Sequence, residues 1–403
     1  MPEILETSTP AFDKDARVGP AANSNNKLAC DLYKKLIDEL DADENLFFSP
    51  ASISTALMLV YEGSRGETRE QFDRLFGFQS VDSEDAHRAY ARMIGGLAPD
   101  PEWDGYELDV ANALWGEQTL PFNTDYLDTV KQYYEAGFAS ADFKDDPIGQ
   151  RDRINAWVKE KTRGKIQGVL GENSITPDTR LVLANAMYFR GRWANEFWDR
   201  RTKDLPFYVK PNKPKDVPMM HQKEASYAYG KYDGYSAIKL WYDYSGIYML
   251  VLLPDKRDGL SALEKKLSPK MLRATVDGMK AETVNLWLPK WETTSNAALA
   301  DMLAELGLKN AFDARQADLS GISDSSGEPL FLSQVSHKAF IAVDEEGTEA
   351  AAVTVIEAEG EAEEGFEEPP KPIDFRADHP FVYFIRDRKT GAILFMGRVT
   401  DPS

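Results

Sequence analysis

Residues 344–364 read DEEGTEAAAVTVIEAEGEAEE, and taking them alternately sorts the charge. One set is Thr348, Ala350, Ala352, Thr354, Ile356, Ala358, Gly360 and Ala362, all small or apolar. The other is Glu349, Ala351, Val353, Val355, Glu357, Glu359, Glu361 and Glu363, which carries every charge from Thr348 onward. Period-two alternation marks a strand with one face buried and one wet. The quiet set first gains a charge at Glu364, and there the pattern stops. The patterned part is about fifteen residues, roughly 50 Å when extended, against a usual strand of about five or six. Small neutral side chains could slide between existing strands, whereas a lone buried glutamate would cost roughly several kcal/mol. An acidic low-complexity loop with accidental alternation is the other reading of this stretch.

The pattern sits in a wider segment, residues 344–378, that is rich in glutamate and ends near Glu367-Glu368-Pro369-Pro370-Lys371-Pro372. A long segment without helix or strand anchors is uncommon inside a compact domain and is usually functional or disordered. Strand-like sequence resumes at Phe381, so the chain must return to the core, which predicts an exposed loop.

The whole chain has 403 residues and a formal charge of −20. That balance argues against nucleic-acid and anionic-membrane partners, which need a basic face. Cys30 is the only cysteine, so there is neither an internal disulfide nor a cysteine-rich metal site, and its apolar helical surroundings predict a packed thiol. The other histidines, His87, His221 and His379, are as scattered as His337, and no His-Glu-x-x-His, phosphate loop or Gly-x-Ser-x-Gly elbow occurs. No metal, no cofactor and no catalytic residue are expected. Met1–Asn26 lacks an apolar core between a basic start and a cleavage site, which predicts a cytoplasmic protein. A chain whose secretion signal had already been removed would read the same.

Helical patterns dominate the first half: Lys27–Leu40, Ser52–Leu59, Gly66–Phe76, Glu84–Leu97, Asn123–Tyr134 and Gln150–Gly164. Ser49-Pro50 suits the cap and first residue of the second. Strand-like runs follow at Leu108–Trp115, Arg180–Phe189, Ile238–Tyr242, Ile247–Leu253, Val284–Leu288, Val335–Val343, Phe381–Ile385 and Ile393–Met396. The order predicts an α+β chain, with residues 1–24 a flexible leader and 25–403 one domain.

Asp344-Glu345-Glu346-Gly347-Thr348-Glu349-Ala350-Ala351-Ala352 resembles the hinge of inhibitory serpins. Further stretches follow in that family's order: Asn45-Leu46-Phe47-Phe48-Ser49-Pro50, Leu183-Ala184-Asn185 through Trp193, and Leu288-Pro289-Lys290. Asp318-Leu319-Ser320-Gly321-Ile322, Val335-Ser336-His337-Lys338-Ala339 and His379-Pro380-Phe381 through Val399 complete the set. The resemblance spans nearly all of residues 25–403. It implies the serpin fold, three β-sheets with about nine helices, metastable as made, and an exposed reactive-centre loop. A target protease attacks the loop and forms an acyl-enzyme. In that family the loop then inserts as a new central strand and traps the enzyme, so the resemblance implies an inhibitor and not an enzyme. The rival is a serpin-fold binding or storage protein that no longer inhibits.

The resemblance also assigns residues. Glu345, Glu346, Gly347, Thr348, Glu349, Ala350, Ala351 and Ala352 form the hinge. Ser49, Ser52, Asn185 and His337 form a polar cluster beneath the central sheet, the shutter. Asn185 supports this independently, since it interrupts an apolar strand and a buried amide needs partners. Trp193, Lys290 and Glu345 mark the breach, where the strands first part. In inhibitory relatives the cut bond lies about fourteen residues past the hinge glycine; counted from Gly347 this gives Glu361–Ala362. The loop is longer than usual on its Glu363–Lys371 side, which leaves cleavage after Glu359 or Phe366 open. A glutamate before the cut points to a Glu-tolerant or subtilisin-like serine protease. The helix that binds heparin in some relatives carries Glu84, Asp85, Arg88 and Arg92 here, so no heparin activation is expected, and the protein is expected to be a monomer.

Overall fold

The structure, a computed structural model, describes residues 18–97, 106–134, 137–243, 246–324, 329–348 and 371–403. Nine α-helices lie within them: α1 (Gly19–Glu39), α2 (Pro50–Gly63), α3 (Gly66–Phe76), α4 (Ser83–Gly95), α5 (Thr124–Tyr133), α6 (Pro147–Lys161), α7 (Leu260–Lys266), α8 (Pro269–Gly278) and α9 (Ala300–Glu305). The strands of the first half are β1 (Leu46–Phe48), β2 (Tyr106–Glu117), β3 (Gly137–Ala141), β4 (Leu181–Arg192), β5 (Lys203–Lys210) and β6 (Lys213–Tyr232). Those of the second are β7 (Tyr235–Trp241), β8 (Ile247–Pro254), β9 (Lys280–Pro289), β10 (Trp291–Ala298), β11 (Leu332–Val343), β12 (Gly347–Thr348), β13 (Ile373–Arg376), β14 (Phe381–Asp387) and β15 (Ile393–Val399). No described helix is long and apolar enough to cross a membrane.

One sheet runs β10-β11-β12-β4-β2-β3; the other runs β1-β15-β14-β8-β7-β6-β9-β13, with β5 on β6. The second is continuous only because β6, twenty residues long, passes through both of its parts. Counted as two, those parts give the three sheets of the expected fold.

Helix α2 sits between the layers, packed on β15 to one side and on β2 and β4 to the other. Every residue from Pro50 to Tyr61 is therefore buried, with no amphipathic stripe. The Ser49 hydroxyl accepts the Ser52 N–H at 3.1 Å and caps its start, with Pro50 as the first helical residue. Strand β4 divides its side chains by parity. Leu181, Leu183, Met187 and Phe189 join the main core around α2, whereas Val182, Ala184 and Ala186 face Ile154, Trp157 and Val158 of α6.

Helix α1 starts at Gly19, eight residues before the expected Lys27, so residues 19–24 of the expected leader are helical. The stretch is too polar to read as a core helix. Ser24 and Asn25 are nonetheless buried and paired: Ser24 Oγ accepts from the Tyr90 hydroxyl (3.3 Å), Asn25 Nδ2 donates to the Ile393 carbonyl (2.9 Å), and Asn25 Oδ1 accepts from Ser54 (3.0 Å).

Candidate functional site

The site begins where β11 ends. Asp344 closes a tight turn, its Oδ1 accepting from the N–H groups of Glu346 (3.0 Å) and Gly347 (3.2 Å), while its own N–H donates to the Gly347 carbonyl (2.9 Å). The chain doubles back, and Gly347–Thr348 wedge between the tops of β11 and β4, antiparallel to both. Below the wedge β11 and β4 pair directly and in parallel, down to Leu332 opposite Leu181. Only glycine fits at 347, because a Cβ there would stand 2.1 Å from the Gly191 carbonyl oxygen. Thr348 is fully buried, its Oγ1 2.8 Å from the Tyr242 hydroxyl.

Trp193 holds this turn from beside it. Its backbone N–H donates to the Glu346 carbonyl (2.8 Å) and its indole N–H to the Asp344 carbonyl (3.0 Å), while its ring stacks on Tyr242 at 4.6 Å. The Glu345 carbonyl accepts the Phe197 N–H at 2.8 Å. Its carboxylate accepts from Lys290 Nζ (2.6 Å) and from the Thr202 hydroxyl (2.7 Å). Burial pushes the Glu345 pKa up, but these two donors outweigh it and hold the carboxyl below its usual range. Lys290 moves in the complementary sense: partial burial works against its charge, and Glu345 more than restores it. Trp193, Lys290 and Glu345 thus meet around the turn, joined by Thr202, Tyr242 and Gly191.

Further down the seam a polar row crosses three strands. Asn112 of β2 is level with Asn185 of β4, which is level with His337 of β11. Ser49 and Ser52 approach from the first turn of α2. His337 Nε2 accepts the Ser49 N–H at 3.0 Å, which leaves the proton on Nδ1 to donate to Asn185 Oδ1. Asn185 Nδ2 donates to Ser52 Oγ (2.5 Å) and to Asn112 Oδ1. Burial pushes the His337 pKa down to about 3. Geometry agrees, since a proton on Nε2 would face the Ser49 N–H. The row spans the seam, and the His337–Asn185 bond joins its two sides.

Ser49, Ser52, Asn185 and His337 are therefore brought together, and so are Trp193, Lys290 and Glu345. Of the hinge, Glu345, Glu346, Gly347 and Thr348 are placed. Glu349, Ala350, Ala351 and Ala352 lie outside the described residues, as does the Glu361–Ala362 bond. Asn112 is an addition to the expected cluster, and it interrupts the apolar run Leu108–Trp115 just as Asn185 interrupts its own. No cluster of metal-binding side chains occurs among the described residues.

A sheet split at its top by its own returning chain, over a buried polar row, fits the class that the sequence around Gly347 resembles. The family model described as "Serpin (serine protease inhibitor)" matches residues 23–402, and the chain belongs to that family. It is 38% identical over 377 residues to a leukocyte elastase inhibitor of Xenopus tropicalis, covering 92% of this chain and 97% of the relative. It is 37% identical over 389 residues to an uncharacterized serpin-like protein of Thermococcus kodakarensis, covering 96% and 87%. Among solved structures, uncleaved ovalbumin matches with a TM-score of 0.84 and 30% identity, over 94% of this chain and 99% of ovalbumin. Serpin48 of the insect Tenebrio molitor matches with a TM-score of 0.84 and 29% identity, over 97% and 100%.

Proposed function

We propose that this protein inhibits a serine protease as a suicide substrate. The protease serine attacks the Glu361 carbonyl, an ester forms to that serine, and the Glu361–Ala362 amide breaks with the new amine leaving on Ala362. The freed segment then zips down between β11 and β4 from the wedge at Gly347–Thr348, carrying the tethered enzyme with it. Each residue added to the sheet in this way gains backbone hydrogen bonds, worth about 0.5–1.5 kcal/mol net apiece along the whole inserted length.

The single observation carrying this reading is the wedge. Thr348, the first member of the small neutral set, is already inside the sheet, in the phase the alternation demands. The residues that follow it inward are Ala350, Ala352 and Thr354, none of which would resist entry. A binding or storage role has no need of that pattern.

With a glutamate before the cut, the target is a Glu-tolerant or subtilisin-like enzyme. Polyanion activation forms no part of the proposal, because on α4 Arg88 pairs with Glu84. The test is to mix the protein with a panel that includes subtilisin, trypsin and a Glu-specific protease. A complex that survives SDS, with the protease joined at Glu361, is expected for the first and third. Clean loop cleavage with no complex for any enzyme would overturn the reading.

A further inference from the structure

Among the described residues each sheet ends in a strand that is paired on one edge only, and two of these ends line one cavity. β10 is the last strand of the six-stranded sheet and β1 the last of the other. They touch where the Phe47 N–H donates to Ser295 Oγ at 3.0 Å. Between them lies a cavity of about 570 Å³ that is lined by every residue from Glu292 to Ala298. Successive side chains of a strand point to opposite faces. A cavity that touches all seven therefore reaches the free edge of β10, and His337 of β11 in its lining shows that it also extends beneath the sheet.

Natural sheets protect such edges with lysine, proline, bulges or a covering element. β10 has none of the first three. Its residues Thr294, Ser295, Asn296, Ala297 and Ala298 are small, and its eight pairs with β11 run without a register shift. Among the described residues β10 pairs with β11 alone. Opposite it the groove floor is apolar, with Leu40, Phe48 and Met302. Its acidic residues are Glu39, Glu44 and Glu292, all exposed, and among the described residues no lysine or arginine lines it. The bases nearby are engaged elsewhere, Lys35 with Glu305 (2.5 Å) and Lys210 with Asp43 (3.4 Å).

We propose that this groove binds an extended protein segment carrying lysine or arginine side chains, which adds to the free edge of β10 as a further strand. The backbone of the segment pairs with β10, alternate apolar side chains rest on the floor, and the basic ones meet Glu39, Glu44 and Glu292. The loop of a second copy of this chain is a poor occupant, because residues 349–368 carry eight glutamates and no base. The free edge of β10 lies on the far side of β11 from the seam at β4, and among the described residues the two share only His337, which lines the cavity and bonds to Asn185 across the seam.

The test uses a fluorescein-labelled twelve-residue peptide that alternates lysine with threonine and leucine, read by anisotropy at low salt. Saturable binding is expected, weakened about tenfold or more by the combined substitutions Glu44→Lys and Glu292→Lys. A peptide with the sequence of residues 349–364 is expected not to bind. Hydrogen exchange on the unmodified protein gives a readout that needs no variant: the peptide should slow exchange of amides within Glu292–Ala298. Absence of binding, indifference to the charge reversal, equal binding of the acidic peptide, or unprotected β10 amides would each overturn the proposal.

Discussion

The hydroxyl groups of Thr348 and Tyr242 lie 2.8 Å apart, both buried, with Tyr242 stacked on Trp193. The first inward-facing residue of the loop is thus bonded to the aromatic pair that holds the turn before it. Position 348 has room for a short side chain and a use for a hydroxyl. Thr348→Arg should convert the inhibitor to a substrate, cut at the same bond but no longer trapping the enzyme. Ala350→Glu should act alike if the segment follows the wedge inward, because either change leaves a charge in the sheet. The stoichiometry of inhibition and the yield of SDS-resistant complex measure it, and unchanged values would remove the hinge assignment.

Gly347→Ala should expel the wedge. The added carbon would meet the backbone of β4, the Gly191 carbonyl oxygen at 2.1 Å and the Arg192 Cα at 2.8 Å, and neither can swing away. Overpacking of this kind costs about 1–3 kcal/mol. Limited proteolysis should then cut near 345–348 faster than in the parent, and the thermal midpoint should fall.

The Lys290–Glu345 pair sets an acid limit on the turn. Glu345 is held below the usual carboxylate range, so its contribution is complete above the unfolded value of about 4.3 and is lost as pH falls through the lower folded value. Lys290→Met removes the nearer donor and moves that loss to higher pH. The stability change should be small, about 1 kcal/mol, because the Lys290 side chain is 39% exposed. Exchange of the Phe197 amide, which donates to the Glu345 carbonyl, should quicken in the variant at mildly acidic pH.

His337 should stay neutral in the folded protein well below the pH at which a free imidazole charges. Its folded pKa of about 3 lies beneath the ordinary value of about 6.5. The unfolded chain therefore binds the extra proton first, and stability falls as pH drops from about 6.5 towards about 3, at up to about 1.4 kcal/mol per unit. Imidazole NMR should show no titration of His337 between pH 7 and 4.5. A midpoint near 6 would contradict the buried, singly protonated ring.

Asn112→Ala should cost about 1–3 kcal/mol, since it leaves buried donors of Asn185 and Ser52 without their acceptor. Chemical or thermal unfolding measures it. That residue also shows what a sequence can and cannot tell. An amide inside an apolar strand announces a buried partner, and Asn112 and Asn185 carry the same signal. Only the register of β2 on β4 says that each is the other's partner.

Other elements are legible for similar reasons. Ser49-Pro50 marks a helix start chemically, and the inward phase of Thr348 follows from alternation alone. β6 is not, because Pro214, Pro218 and a run of lysines interrupt what would read as a strand. Its early residues lie where the sheet is open to solvent, so burial does not constrain their polarity. β10 is hidden likewise, as an edge built from threonine, serine, asparagine and alanine. Thr202, Tyr242 and Gly191, which complete the surroundings of the turn, are distant from it in sequence and unremarkable in type.

Chain direction decides where this sheet can open. A segment leaving β11 through a four-residue turn must run opposite to β11. To run opposite to its other neighbour as well, that neighbour must point the same way as β11, and β4 does. Only a same-way boundary can be replaced by two opposite-way ones, and antiparallel ladders hold slightly better per residue. The fault line is therefore written into topology, and side chains decide only how readily it gives.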